Sequence, residues 1–281
     1  MTGREPPRMR RSAFLASLAA AVAAPAVAAA SAAPALVGAI AGERFAALRD
    51  GATLRVGMTG DYRPYTFLAD DGTWSGLDVD VARALAAALR VQVAFVRTSW
   101  PAMTDDLVAG EFDVAMGGVS RDPKRAAAGI LSSPYVVDGK VALIRAADGG
   151  RFRTLADLDV AGTRVALNPG GTNESFDRAN FHAAQLSVVE KNLAIPPLVA
   201  GGTYDVMITD GVEAALAARN DARLAVMNAA DPFTRLEKVY FFPKDAVTFA
   251  AFTRDRMRAW EADGTYARWR TTWIGSNLNA P

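Results

Sequence analysis

Leu54-Arg55-Val56-Gly57-Met58, running into Thr59-Gly60-Asp61-Tyr62-Arg63-Pro64, decides how this chain is read. A short apolar run that stops at glycine, aspartate and proline is a strand feeding a turn. Asp78 to Leu89 then carries Val79, Ala82, Leu85, Ala86 and Leu89 at helical spacing, and Val91 to Val96 supplies another strand. A helix through Leu107 follows Trp100-Pro101, and Phe112 to Met116 is a third strand ending in Gly117-Gly118. The cycle repeats with Val165 to Leu167 as a strand, a glycine turn and a helix from Glu174. Val206 to Ile208 is its closing strand, before Thr209-Asp210. Strands alternating with helices imply an α/β fold of two similar lobes, each a mainly parallel sheet flanked by helices.

The 281 residues suffice for two domains with a core each, and 51% hydrophobic with 22% charged residues excludes a disordered or fibrous chain. Lysine plus arginine number 31 against 30 acidic residues, so no basic field invites nucleic acid. The charge is uneven, because Arg4, Arg8, Arg10 and Arg11 against Glu5 put a net positive charge at the start and leave the remainder acidic. The absence of cysteine excludes disulfides, thiolate metal sites, cysteine nucleophiles and a lipid-bearing cysteine. His182 is the single histidine, too little for a Ser-His-Asp triad or a multi-histidine metal site, and it reads as a surface or satisfied helix residue. Catalysis would rest on carboxylates, hydroxyls, amides, lysine and arginine.

A basic stretch ending at Arg10-Arg11, an apolar run from Ala13 to Ala30 broken at Pro25, and small residues near Ala33 make residues 1–33 a signal peptide. The Arg10-Arg11 pair does not choose between general and twin-arginine export. The destination is the periplasm, with no stable membrane association once the signal is removed. In the mature chain the strands run into polar or glycine loops at Asp61, Ser120, Gly170-Gly171 and Asp210. Taken singly these are turn formers, but four in equivalent places mark a ligand cleft at the strand carboxyl ends.

The stretch from Leu54 to Gly275 resembles the type II periplasmic solute-binding proteins for polar amino acids. The resemblance is carried by Tyr62-Arg63-Pro64-Tyr65, Gly76 to Asp80, Ser133-Pro134-Tyr135 and Asp263 to Tyr266. It implies two lobes joined by a two-strand hinge: lobe 1 from residues 43–140 and 243–275, lobe 2 from residues 141–242. A narrower set looks like the cyclohexadienyl dehydratases: Thr59 to Tyr62, Thr98 to Pro101, Asp138-Gly139-Lys140, Asn168-Pro169-Gly170-Gly171-Thr172-Asn173-Glu174 and Arg178-Ala179-Asn180. Met207 to Asp210, with Glu213 three residues on, supports it. An additional arginine and a proline in Ser120 to Arg125 depart from the pattern.

That resemblance implies a decarboxylative elimination on prephenate or arogenate, driven by aromatisation, with no metal and no cofactor. Glu174 is the expected general acid; a first-turn acid otherwise serves the helix dipole. Arg125 would fork onto the side-chain carboxylate, with Ser120 and the Gly118 N–H as further donors, and Gly171 and Thr172 would present N–H groups to the other carboxylate. Asn173 either bonds substrate or holds the turn, and Lys140 is either a carboxylate ligand or part of the hinge. Asp61 belongs to the same cleft, where Tyr62 and Trp100 would wall the ring. Asp210 stands where amino-acid binders hold an ammonium, which favours arogenate unless that carboxylate is neutralised. Trp260, Trp269 and Trp273 read as packing. The partner is a small molecule, and a homo-oligomer is compatible with the sequence. The rival function is a non-catalytic receptor delivering an amino acid to an ABC importer.

Overall fold

The computed structural model describes residues 45–275, so the signal peptide expected over residues 1–33 lies outside the described residues. The first strand, β1 (Leu54–Met58), is followed by a small meander of β2 (Asp61–Tyr62), β3 (Thr66–Leu68) and β4 (Trp74–Ser75). Helix α1 (Leu77–Leu89) leads to β5 (Val93–Arg97), and α2 (Met103–Val108) leads to β6 (Val114–Ala115). Next come α3 (Pro123–Ala128), β7 (Gly129–Leu131), β8 (Val136–Asp138) and β9 (Lys140–Arg145). The second half runs through α4 (Leu155–Leu158), β10 (Arg164–Leu167), α5 (Gly171–Asn180), β11 (Gln185–Val188), α6 (Ile195–Ala200), β12 (Val206–Asp210), α7 (Gly211–Asn220) and β13 (Leu224–Met227). It ends with β14 (Leu236–Lys238), β15 (Phe241–Pro243), α8 (Val247–Ala262) and α9 (Thr265–Trp273).

Two five-stranded sheets result, in the orders β5-β1-β6-β15-β7 and β11-β10-β12-β9-β13. In the first, β15 runs antiparallel to its neighbours; in the second, β9 does. The protein thus has the two-lobed α/β architecture expected from the alternating elements. The reason lies in side-chain alternation. On β9, Val141 and Leu143 face one cluster while Ala142 and Ile144 face another; on β12, Met207 and Ile208 divide in the same way. Both faces are apolar, so both must be covered by helices. In the first lobe Val56, Met58 and Val114 join the larger core, and Ala115 and Phe241 face Phe112 and Met103 on the reverse side. Burying each such large side chain contributes about 1.5–3 kcal/mol.

The connections between the sheets pass through an antiparallel pair, β8 with β14. The chain rejoins the first sheet at Phe241, two residues before the boundary read from sequence, because Phe241 and Phe242 pair with Leu131 and Ile130. The expected tryptophan packing is present: Trp260 and Trp269 meet edge to face at 5.3 Å, and the Trp273 indole donates to Asp80 at 2.7 Å. His182 is exposed on the surface.

Candidate active site

Loops at the carboxyl ends of the parallel strands of both sheets line a narrow cavity that opens to solvent. Tyr62, after β1, and Trp100, after β5, form one wall with their rings edge to face, centroids 5.6 Å apart. Gly118, after β6, makes room for that wall: its φ is 76°, and a Cβ there would lie 2.4 Å from the Tyr62 ring. Opposite, α5 brings Gly171, Thr172 and Asn173 to the cavity with its N-terminus. The lobes are in contact at this point, since a Cβ on Gly170 would fall 2.7 Å from the Pro101 backbone nitrogen.

Arg125 lines the cavity while only 5% exposed. Its Nη1 donates to the Ser120 carbonyl at 2.7 Å and lies 3.2 Å from Asp122, and its guanidinium stands 6.0 Å from the Trp100 ring. Burial lowers its pKa and Asp122 and Asp210 oppose that, so it remains a cation able to meet a carboxylate. The first-turn N–H groups of α5 add a second anion-favouring surface.

Asp210, at the end of β12, is held from both sides. Lys140 Nζ donates to Oδ1 at 2.8 Å, Lys238 Nζ donates to Oδ2 at 2.6 Å, and the Tyr62 phenol donates to Oδ2 as well. Burial raises its pKa, but the two ammonium groups outweigh that and hold it far below the usual carboxylate range. Burial beside Asp210 pushes Tyr62 well above the usual phenol range, which keeps it a donor. For Lys140 the sequence leaves either a carboxylate ligand or part of the hinge, and its ammonium faces Asp210 rather than the cavity. It does not line the cavity, and its ammonium is spent on Asp210, Thr172 and Asn173.

Other expectations are corrected. The Gly118 N–H donates not outward but to Asp78 Oδ2 at 2.8 Å, beside the Gly117 N–H at 2.9 Å. Asp78 also accepts from the phenols of Tyr135 and Tyr240, and burial pushes its pKa to about 6. Asp61 lies in an adjoining recess with Thr59, Thr98 and Trp100 rather than in the cavity lining.

The largest correction concerns Glu174. Helix α5 begins at Gly171, earlier than the sequence suggests, so Glu174 closes the first turn and reaches back. Its carboxylate accepts from the Gly170 N–H at 2.6 Å and from Arg178 at 2.7 Å, outside the cavity lining, and the Gly170 bond leads in lowering its pKa. That is a helix-start anion, unsuited to donate a proton.

Another acid has the opposite surroundings. Glu213, in the first turn of α7, accepts from Asn192 Nδ2 at 2.7 Å and meets the Thr209 hydroxyl. Burial pushes its pKa to about 8. Asn192 lines the cavity and also donates to the Asp61 carbonyl at 3.0 Å, spanning the two lobes. Asn168, Asn192, Lys238 and Glu213 were missed as site residues. The available signals were Glu213 three residues after Asp210, and a lysine set directly before the apolar run Val239 to Phe242.

The family model for Bacterial extracellular solute-binding proteins, family 3, matches residues 54–276. The chain belongs to that family. Within it, the chain is 37% identical over 202 residues to cyclohexadienyl dehydratase of Pseudomonas aeruginosa, covering 72% of this chain and 75% of that one. It is 26% identical to the L-cystine-binding protein of Escherichia coli, covering 82% and 86%. Among solved structures of this solute-binding family, an ancestral amino acid-binding protein described as a precursor of cyclohexadienyl dehydratase matches with TM-score 0.76 and 28% identity, covering 84% of this chain and 99% of that one.

Proposed function

We propose that this solute-binding protein is a cyclohexadienyl dehydratase, converting prephenate to phenylpyruvate or arogenate to phenylalanine, with Glu213 as general acid. The observation that carries the reading is Glu213 itself, a carboxyl group buried beside a cation-lined cavity, whose burial pushes its pKa to about 8. A receptor has no use for such a group, whereas loss of a ring hydroxyl requires a proton as the carbon–oxygen bond breaks. The identity to the Pseudomonas aeruginosa enzyme supports the same reading.

In the proposed reaction the ring carboxylate leaves as carbon dioxide. The carbon–carbon bonding pair moves through the diene to form the aromatic ring. The departing hydroxide takes the proton of Glu213 and leaves as water, and solvent then reprotonates the glutamate. Arg125 anchors the side-chain carboxylate away from the breaking bonds, and the start of α5 receives the other. Glu213 does not itself line the cavity but stands behind its wall at Asn192, so in the proposed route its proton passes to the hydroxyl over a bridging water. The lobes would close about the β8–β14 pair, excluding water from the ring. The signal-like residues 1–33 and the extracellular family support a periplasmic site of action.

The second reading, an amino-acid receptor for an importer, is favoured by the amino-acid-binding relatives. Incubating the purified protein with prephenate and following phenylpyruvate absorbance separates the two. Product formation well above the spontaneous rate is expected; none, with tight amino-acid binding, would establish the receptor.

A further inference from the structure

The cavity's charge arrangement bears on which of the two substrates it takes. Asp210 is the carboxylate in the lining that would receive an α-ammonium, and its charge is already compensated by two lysines. Of the roughly four acceptor positions of a carboxylate, three are occupied: Lys140 on Oδ1, and Lys238 and Tyr62 on Oδ2. Both lysine side chains are 1% exposed and Asp210 is 4% exposed, so solvent screens these pairs little. The lysine positions are over-determined: Lys238 also donates to Tyr62 and to Ser120 Oγ, each at 2.9 Å, and Lys140 to Thr172 Oγ1 at 3.0 Å. Arg125 adds a second cation to the lining beside Lys238.

The remaining acids do not reverse this balance. The Asp138 carboxylate, packed against the same group, accepts from the N–H groups of Gly139, Gly211 and Val212. Glu213 is neutral at pH 7. Asp61 lies in the adjoining recess. An incoming ammonium therefore meets Lys238 and Arg125 with no uncompensated anion. A keto oxygen with its carboxylate meets donors: the Ser120 hydroxyl, Arg125 and the start of α5.

We infer that this cavity selects the 2-keto acid over the 2-amino acid, with Lys238 as the specificity-determining residue that neutralises Asp210. The inference rests on the dehydratase reading for its choice of ligands. The full mature chain is titrated by calorimetry with the product pair, phenylpyruvate and phenylalanine, while prephenate and arogenate turnover are followed in parallel. Phenylpyruvate should bind tighter by about tenfold or more, the scale of one misplaced charge. In Lys238→Met, which frees one side of Asp210, that ratio should shrink or invert. Asp210→Asn provides a second variant that leaves both lysines in place, and it should keep or strengthen phenylpyruvate binding. Equal binding of the two acids by the wild type would overturn the inference, as would an unchanged ratio in Lys238→Met. So would an Asp210→Asn variant whose phenylpyruvate binding weakens. If neither substrate is consumed yet the keto preference stands, the proposed reaction fails and the charge selection survives.

Discussion

Lys238 and Asp210 make a 2.6 Å ion pair between the strand that leads back to the first sheet and the last residue of β12 in the second. Neither is near the other in sequence, and between them they tie Tyr62 and Ser120 of the first lobe to the second. The cavity's charge is therefore set by an inter-lobe contact, and residues on both sides of it are open to test.

Glu213→Gln keeps the size and the acceptor facing Asn192 but removes the donated proton. Turnover of prephenate should fall by ~10²–10⁴-fold, with phenylpyruvate affinity within a few-fold of wild type. Retained turnover would remove Glu213 from the mechanism.

The pH profile follows from the same group. Its pKa rises from the ordinary 4.5 to about 8 on folding, so the fold favours the neutral form. The stabilisation is complete below about pH 4.5 and is lost as pH climbs through about 8. The kcat/KM for prephenate should decline with an apparent pKa near 8, and thermal stability should fall over the same window. Glu213→Gln should flatten the stability trend.

Glu174→Gln is the control. Its charge serves the start of α5 and the pair with Arg178, so the loss should be about 0.5–1 kcal/mol of stability. Steady-state kinetics should show kcat and KM each within about threefold of wild type, a margin well below the effect of a lost general acid. A collapse of kcat in this variant would restore Glu174 as the acid.

Arg125→Ala should act on binding. Its guanidinium faces the cavity, and a charge-assisted hydrogen bond is worth ~1.5–3 kcal/mol, so KM for prephenate and the affinity for phenylpyruvate should both weaken by at least tenfold. An unchanged KM would mark Arg125 as structural, held by Ser120 and Asp122 alone.

Asp78→Ala removes the acceptor for two glycine N–H groups and two phenols. Leaving several buried donors unsatisfied should cost more than about 3 kcal/mol, read as a drop in the denaturant midpoint. Asp78→Asn, which keeps one carbonyl oxygen, should lose less.

The lobed α/β fold was legible in the order of residues because its signals are local. The apolar run Leu54 to Met58 ends at glycine and aspartate, and Leu77 to Leu89 repeats its apolar residues at the helical period. Neither needs a distant partner to be recognised. The cleft was legible too, through polar loops after equivalent strands, and Tyr62, Trp100, Ser120, Arg125, Thr172 and Asp210 all line the cavity. The choice of acid was not. Glu174 and Glu213 both stand in the first turn of a helix that follows a strand, and locally they are alike. What separates them is what packs against each. Glu174 turns back to the Gly170 N–H and out to Arg178, and stays a carboxylate. Glu213 is roofed by Asn192 from another loop and stripped of water, which favours its neutral form. Lys238 is the same case: a lone lysine before an apolar run announces burial, but which anion it meets is decided by Asp210 at the end of a different strand, β12. Periodicity and turn chemistry act over a few residues and can be read along the chain. Desolvation and charge pairing depend on neighbours brought from far away, and those only the tertiary structure decides.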